Sequence, residues 1–422
     1  MRASQVLQKC LPNSLSGMHA LRMRALLNAV QALIAGRRLT LTDVARSWPG
    51  AERVRAPLKA FDRLLGNRHL HAERGAIEAD MARWLLRGSR PVILIDWSDL
   101  KPDKSWCLLR AAVPVGGRTL TLQDMIFPGK EQGSAEAERR FLQQLRKLVP
   151  DGTTPILVTD AGFRTPWFRA VSAMGWHWVG RLRGATRFKL QDAPDHPEHW
   201  HDSRTLHAKA KVVPRELPPT LVNRSSPLAC RLVVCGKTRK GRKKSTRRTP
   251  RQASRSAVSL KAAAREREPW LIVATPELSQ PSARQLVDLY ARRMQIELAF
   301  RDLKSHRYGH AMKDSLTRKG PRLQVLLLVS TLASFVSWLA GMVCEAASID
   351  HWLWPSKTTR KCYSTPRIGR EALVRGWPLG PPAQWLDLLR TLPTKTLDRM
   401  TLQVWKRGDT SGSDPCPAYR KS

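Results

Sequence analysis

The chain predicts an α/β fold, a central sheet covered by helices, with a helical segment ahead of it. Three observations carry this expectation. Periodic, Ala-rich helical stretches fill the first eighty-odd residues, apolar runs of strand length begin after Pro91, and helical patterns alternate with strands from Ala135 onward.

Taken in order, Leu21 to Leu33 has helical periodicity and Gly36 supplies a stop. Thr40-Leu-Thr-Asp43 reads as the capped start of a second helix. Two helices joined so closely make either a helix-turn-helix, with the second helix laid in a major groove, or an ordinary helical pair. Arg53, Arg55, Lys59, Arg63 and Arg68 then put phosphate-seeking charge on a third helical stretch.

Beyond Pro91 the unbroken apolar run Val92-Ile-Leu-Ile ends on Asp96, as a buried strand would. Strands expected over 106–113 and 118–127 complete a meander. A helix from Ala135 to Leu148 leads into a second apolar strand, 154–160, which ends on Asp160. Gly162 turns the chain toward a helix near Pro166, and 176–182 reads as a further strand. Residues 184–276 form an insertion of largely β character. It holds a strand at 231–235 and another at 270–275, and between them nine Lys or Arg residues from Lys237 to Arg251, a run that reads as a mobile loop. The next helix opens near Ser282. The chain is therefore expected to divide into a helical segment at 1–88 suited to DNA binding, an α/β core at 89–310, and a C-terminal helical region at 311–422 that could serve dimerisation.

Composition narrows the function. With 73 Lys and Arg against 34 Asp and Glu, the formal net charge of +39 calls for a polyanionic partner. Double-stranded DNA fits better than anionic membrane, because the basic residues run through the whole chain instead of flanking one anchor. Seven cysteines without a Cys-x-x-Cys pair suggest neither a zinc site nor a disulfide framework, and fit a reducing, cytoplasmic setting. The start of the chain carries no long apolar segment of secretory type. Leu323 to Val343 is uncharged and long enough to span a bilayer, but its Ser, Thr and Gln residues favour a buried core helix.

In open α/β sheets the functional crevice lies beyond the carboxyl ends of the strands, where Asp96 and Asp160 are expected. Buried aspartates need a cation, so two on neighbouring strands suggest a hard divalent metal. The competing readings are local: Asp96 as a cap for the following backbone, Asp160 as an Asx-turn ahead of Gly162. Asp99 is a weaker rival to Asp96, lying past the apolar run. Further on, Tyr290, Arg293, Glu297 and Lys304 fall within roughly 60° of one another on a helix advancing about 100° per residue. Glu297 would thus stand on a cationic stripe, suited to completing a metal-ligand set beside a phosphate backbone. Asp302 points away from that stripe. His69, His71, His306 and His310 lack metal spacing and read as surface or DNA-contacting residues.

At these residues the chain resembles the DDE transposases of bacterial insertion sequences, and among them the fourth family, which includes the transposase at the ends of a tetracycline-resistance transposon. Tyr290, Arg293, Glu297 and Lys304 reproduce that family's signature spacing without a gap. The similarity runs from about residue 20 to 345, through Asp96-Trp-Ser-Asp99, Asp160-Ala-Gly-Phe163 and Trp270. It implies a ribonuclease H-like catalytic core with Asp96, Asp160 and Glu297 as a catalytic triad binding two Mg2+ ions, with Mn2+ able to substitute. Cut-and-paste transposition by nicking, hairpin formation and strand transfer follows from it, as does a homodimer in the synaptic complex. Tyr290, Arg293 and Lys304 would contact the DNA backbone, and Trp270 would either stack on a displaced base or simply pack in the core. A ribonuclease H-like nuclease without strand transfer, and an inactive DNA-binding copy, are the alternatives.

Overall fold

The computed structural model describes residues 2–191, 199–237, 256–355, 358 and 361–402. The basic run after Lys237, expected to be a mobile loop, and the residues after Leu402 lie outside the described residues.

The leading segment is helical, as its periodicity requires: α1 (Arg2–Cys10), α2 (Pro12–Ser16), α3 (Ala20–Gly36), α4 (Leu41–Arg46), α5 (Arg55–Leu65) and α6 (Arg68–Leu85). Local chemistry sets its boundaries. Arg37 closes α3 in the left-handed region, at φ 71°, while the Thr40 hydroxyl accepts from the Asp43 N–H to open α4.

A meander follows, β1 (Val92–Asp99), β2 (Trp106–Pro114) and β3 (Thr119–Pro128), then α7 (Ala135–Arg146), β4 (Ile156–Val158), α8 (Thr165–Ala173) and β5 (His177–Leu182). Strands β1, β2 and β3 pair antiparallel, while β4 lies parallel to both β1 and β5. The parallel pairs need crossovers, which α7 and α8 supply. The sheet is thus mixed, and the protein is α/β.

The insertion contributes β6 (Arg187–Leu190), β7 (His201–Asp202), β8 (Arg215–Glu216), β9 (Thr220–Val222), β10 (Leu228–Cys235), α9 (Ala257–Arg267) and β11 (Trp270–Ala274). Its largely β character holds. It is no separate sheet, however, because β11 pairs antiparallel with β5 and carries β10 beside it, so the strand order runs β3-β2-β1-β4-β5-β11-β10-β9-β6-β7.

After it come α10 (Ala283–Ala291) and α11 (Met294–Lys304), then α12 (Gly320–Ala346), α13 (Thr365–Arg375), α14 (Pro382–Arg390) and α15 (Thr394–Met400). Helix α12 is long and apolar enough to cross a membrane, yet 94% of its most apolar window is buried inside the fold. One contiguous cluster of buried side chains reaches from Ala3 through the sheet to Met400. Around α12 the N-terminal and C-terminal helices share that core, so the expected boundaries at 88 and 310 are crossed by common packing.

Candidate active site

Asp96 sits inside β1 and not at its end, directly across from Arg110 of β2. The parallel ladder pairs Leu94 with Val158. Continued by two residues, that register sets Asp96 beside Asp160, which follows β4. Residues two apart on a strand share a face, so the two acids meet on one side of the sheet. The bond from the Thr159 N–H to the Val179 carbonyl, 3.0 Å, carries regular pairing up to Asp160. Asp160 also accepts from the Gly162 N–H at 2.8 Å, so its Asx-turn is formed as well. A local turn does not remove the acid from the site, because its second oxygen stays free of that bond.

The row continues the other way. Arg110 donates to both carboxylate oxygens of Asp124 on β3, each at 2.7 Å, in a buried bidentate pair. Its guanidinium lies 5.3 Å from the Phe300 ring centroid of α11, which fixes how that helix crosses the sheet.

The helix expected to run unbroken through the signature is divided. Arg292 and Arg293 bond back to Leu289 and Tyr290 in i to i+3 fashion, at 3.2 and 3.0 Å, and α11 begins afresh at Met294. The single stripe therefore does not form. Tyr290 is 4% exposed, packed edge-on against Trp270 with centroids 5.1 Å apart, so its expected place on a DNA-facing surface is corrected. Trp270 is half-buried, held between Tyr290 and Lys237, whose ammonium lies 4.8 Å from its ring centroid.

Arg293 instead turns into the acids. It reaches Asp96 Oδ2 at 3.3 Å and Glu297 Oε1 at 2.6 Å, with only 11% of its side chain exposed. Burial works against its charge, but Tyr290, Asp96 and Glu297 more than restore it and raise its pKa above the ordinary value. Burial also pushes Asp96 up to about 7; Arg293 pulls the other way, and Asp160 and Glu297 push further. Lys304 donates to the Ser98 hydroxyl at 2.5 Å, and burial chiefly, with Lys313 beside it, lowers it to about 8.

Among the described residues, no three His, Cys, Asp or Glu side chains are gathered closely enough to hold a metal ion. The guanidinium of Arg293 stands between Asp96 and Glu297, where a cation is needed. The donor set itself is right for a hard divalent ion: carboxylate oxygens, one of them on a buried residue made costly by its charged neighbours.

Two features escaped sequence reasoning. Glu138 of α7 is 7% exposed and accepts from the Trp97 indole at 3.4 Å; burial pushes it up to about 7, with Asp160 adding repulsion. The signal was present, since Glu138 occupies the same helical stripe as Phe141, Leu142 and Leu145. A cavity of about 840 Å3 also opens immediately after Asp160, lined by Arg164, Arg181, Arg183, Arg187 and Arg224. Those cations come from three separate segments, and only folding unites them. Of the histidines, His310 is not a surface group: its Nδ1 lies 2.7 Å from the Ser330 hydroxyl, inside the helical layer.

A family model described as the transposase DDE domain matches residues 87–334, from just after α6 through the sheet and insertion into α12. The chain belongs to the transposase DDE domain family. No curated protein matches it. As a DDE transposase of the insertion-sequence type it is a DNA-cleaving enzyme, its partner is DNA, and the family as a whole uses divalent metal ions.

Proposed function

We propose that this transposase moves an insertion sequence of the fourth family by cut-and-paste, with Asp96, Asp160 and Glu297 as its catalytic acids. The observation that carries the proposal is the parallel register of β1 and β4, which continued past Leu94–Val158 sets Asp96 beside Asp160, together with the single guanidinium joining Asp96 to Glu297. The order β3-β2-β1-β4-β5, with β2 antiparallel to its neighbours, supports a ribonuclease H-like core. The basic helices ahead of it are suited to DNA binding.

The three carboxylates would hold two Mg2+ ions, which supply an activated oxygen nucleophile and stabilise the leaving oxygen. Each step is then an in-line attack by a water or hydroxyl oxygen on phosphorus, breaking one P–O bond as another forms. Arg293 keeps Asp96 and Glu297 aligned while no strand is bound, with Tyr290 and Trp270 packed behind it. Once a strand enters, Arg293, paired to two of the acids, and Lys304, bonded to Ser98 beside them, take its phosphates. The arginines beyond Asp160 line a path for the remainder of that strand. Trp270 is proposed as the platform for a base displaced during hairpin formation, which requires Lys237 to leave its face. A homodimer holding two transposon ends, built on the C-terminal helices, completes the proposal.

The test is incubation of the protein with Mg2+ and a duplex bearing the inverted repeats that flank its gene, beside Glu297→Gln. Cleavage at the ends and covalent joining to a second duplex, both lost in the variant, are expected. Cleavage without joining would leave a nuclease, and binding with no strand breakage in either protein would leave an inactive DNA-binding copy.

A further inference from the structure

Away from the acids, a cavity of about 120 Å3 lies where the end of α3, strands β2 and β3, the end of α11, and the α12–α13 pair come together. Its wall carries Arg37, Arg110, Arg118, Arg367 and Arg370. These five guanidiniums have three carboxylate partners: Asp124 holds Arg110, Asp302 holds Arg118, and Glu371 is shared by Arg367 and Arg370. Glu371 is shared further with Arg375. Arg37 has no ion pair among the described residues, so positive charge is left over in a partly enclosed space.

Two donors point to what is missing. Thr119, 8% exposed, and Arg370 both line the cavity, and among the described residues the Thr119 hydroxyl and Nε of Arg370 are buried without a hydrogen-bond partner. Unpaired donors beside surplus charge are costly until an anion with several acceptor oxygens arrives. His310 does not add to the charge: burial, with Arg370, Arg110 and Arg37, lowers it to about 4, so it is neutral at pH 7. Burial and then Arg37 likewise depress Arg370, to about 10, in keeping with crowded cations.

We propose that this cavity is a binding site for a phosphate group. Planar guanidiniums converging from four directions, with a hydroxyl, match a tetrahedral oxyanion better than a planar carboxylate. The space admits one such group and not a nucleoside. Bound there, phosphate ties the N-terminal helices through Arg37, the sheet through Arg118, and the C-terminal helices through Arg367 and Arg370. It also meets the end of α11, the helix that carries Glu297. Either free phosphate or one phosphate of a DNA strand has the required chemistry. Only the second source rests on the proposed function.

Two measurements on the full chain separate these. Thermal unfolding is followed in millimolar inorganic phosphate against chloride at equal ionic strength, and affinity for a short labelled duplex is followed against salt. The variants are Arg37→Asn, since Asn tolerates the left-handed backbone at that position, and Arg367→Gln. A phosphate-specific rise in Tm, lost in both variants, assigns a free anion. A log–log salt slope shallower by about 1 in Arg37→Asn, and by less in Arg367→Gln, whose cation Glu371 already holds, assigns a strand phosphate. Retention of the wild-type phosphate response, or no response in any protein, together with an unchanged slope, overturns the site. Neither readout needs strand cleavage, so a failed catalytic proposal leaves the result interpretable.

Discussion

Asp96 shows how far a single side chain is shaped by its surroundings. Its pKa stands at about 7, against an ordinary 3.8, because burial comes first and the neighbouring acids outweigh what Arg293 returns. A carboxyl raised in the folded state stabilises most while protonated, so its contribution is full below 3.8 and is lost as pH rises through about 7. Metal-free Asp96→Asn should therefore gain on the wild type across that window, by up to about 1.4 kcal/mol per pH unit, as read from Tm against pH in chelator. Parallel curves for the two proteins would count against a buried, proton-holding Asp96. The Arg110–Asp124 pair is a matter of buried charge. Both side chains are about as buried as the core around them, so removing one partner strands the other charge. Asp124→Asn should cost about 3–5 kcal/mol in urea unfolding, and a loss under 1 kcal/mol would mean that water reaches Arg110.

At the scale of elements, apolar runs and caps were legible in the chain, and contacts between distant segments were not. The runs ending on Asp96 and Asp160 became β1 and β4, and Ser282 opens α10 with a reciprocal capping box to Gln285. Wheel geometry failed at Tyr290 to Lys304, because it assumes one continuous helix and the turn at Arg292–Arg293 changes the phase. That turn sends Tyr290 into the core and Arg293 to the acids. The charged face of α11 was read, but nothing local marked Arg293 as the bridge. Packing between α12 and α13 was equally hidden. Gly369 abuts the backbone of Ser337 to Gly341, leaving no room for a Cβ. Gly369→Ala should destabilise the chain by about 1–3 kcal/mol through overpacking; an unchanged urea midpoint would show that the helices separate freely. Trp270→Ala is expected to nick normally and form few hairpins, whereas unchanged hairpin yield would leave Trp270 a packing residue.

For the whole molecule, charge and sheet have to be considered together. The insertion adds strands to the same sheet that holds the acids, so its cations are rigidly placed relative to Asp160. Composition could announce a polyanionic partner but not where it lies, since a net charge of +39 is spread along the chain. Folding concentrates part of it in the cavity that follows Asp160. There Arg181 and Arg183 share Glu268, whereas Arg164 and Arg224 have no ion pair among the described residues. Unpaired cations are the ones that release counterions from DNA when a strand binds, because a paired one first gives up its partner. Arg164→Gln with Arg224→Gln should therefore lower the log–log salt slope of duplex binding by about 2. Arg183→Gln, which removes a cation already held by Glu268, should change it less. Because neither Arg164 nor Arg224 bonds to Asp96, Asp160 or Glu297, cleavage by the double variant should recover at saturating DNA, appearing as a raised KM with kcat kept. A fall in kcat at saturation would place these arginines at the reacting phosphate, and an unchanged slope would move the DNA path off this face of the sheet.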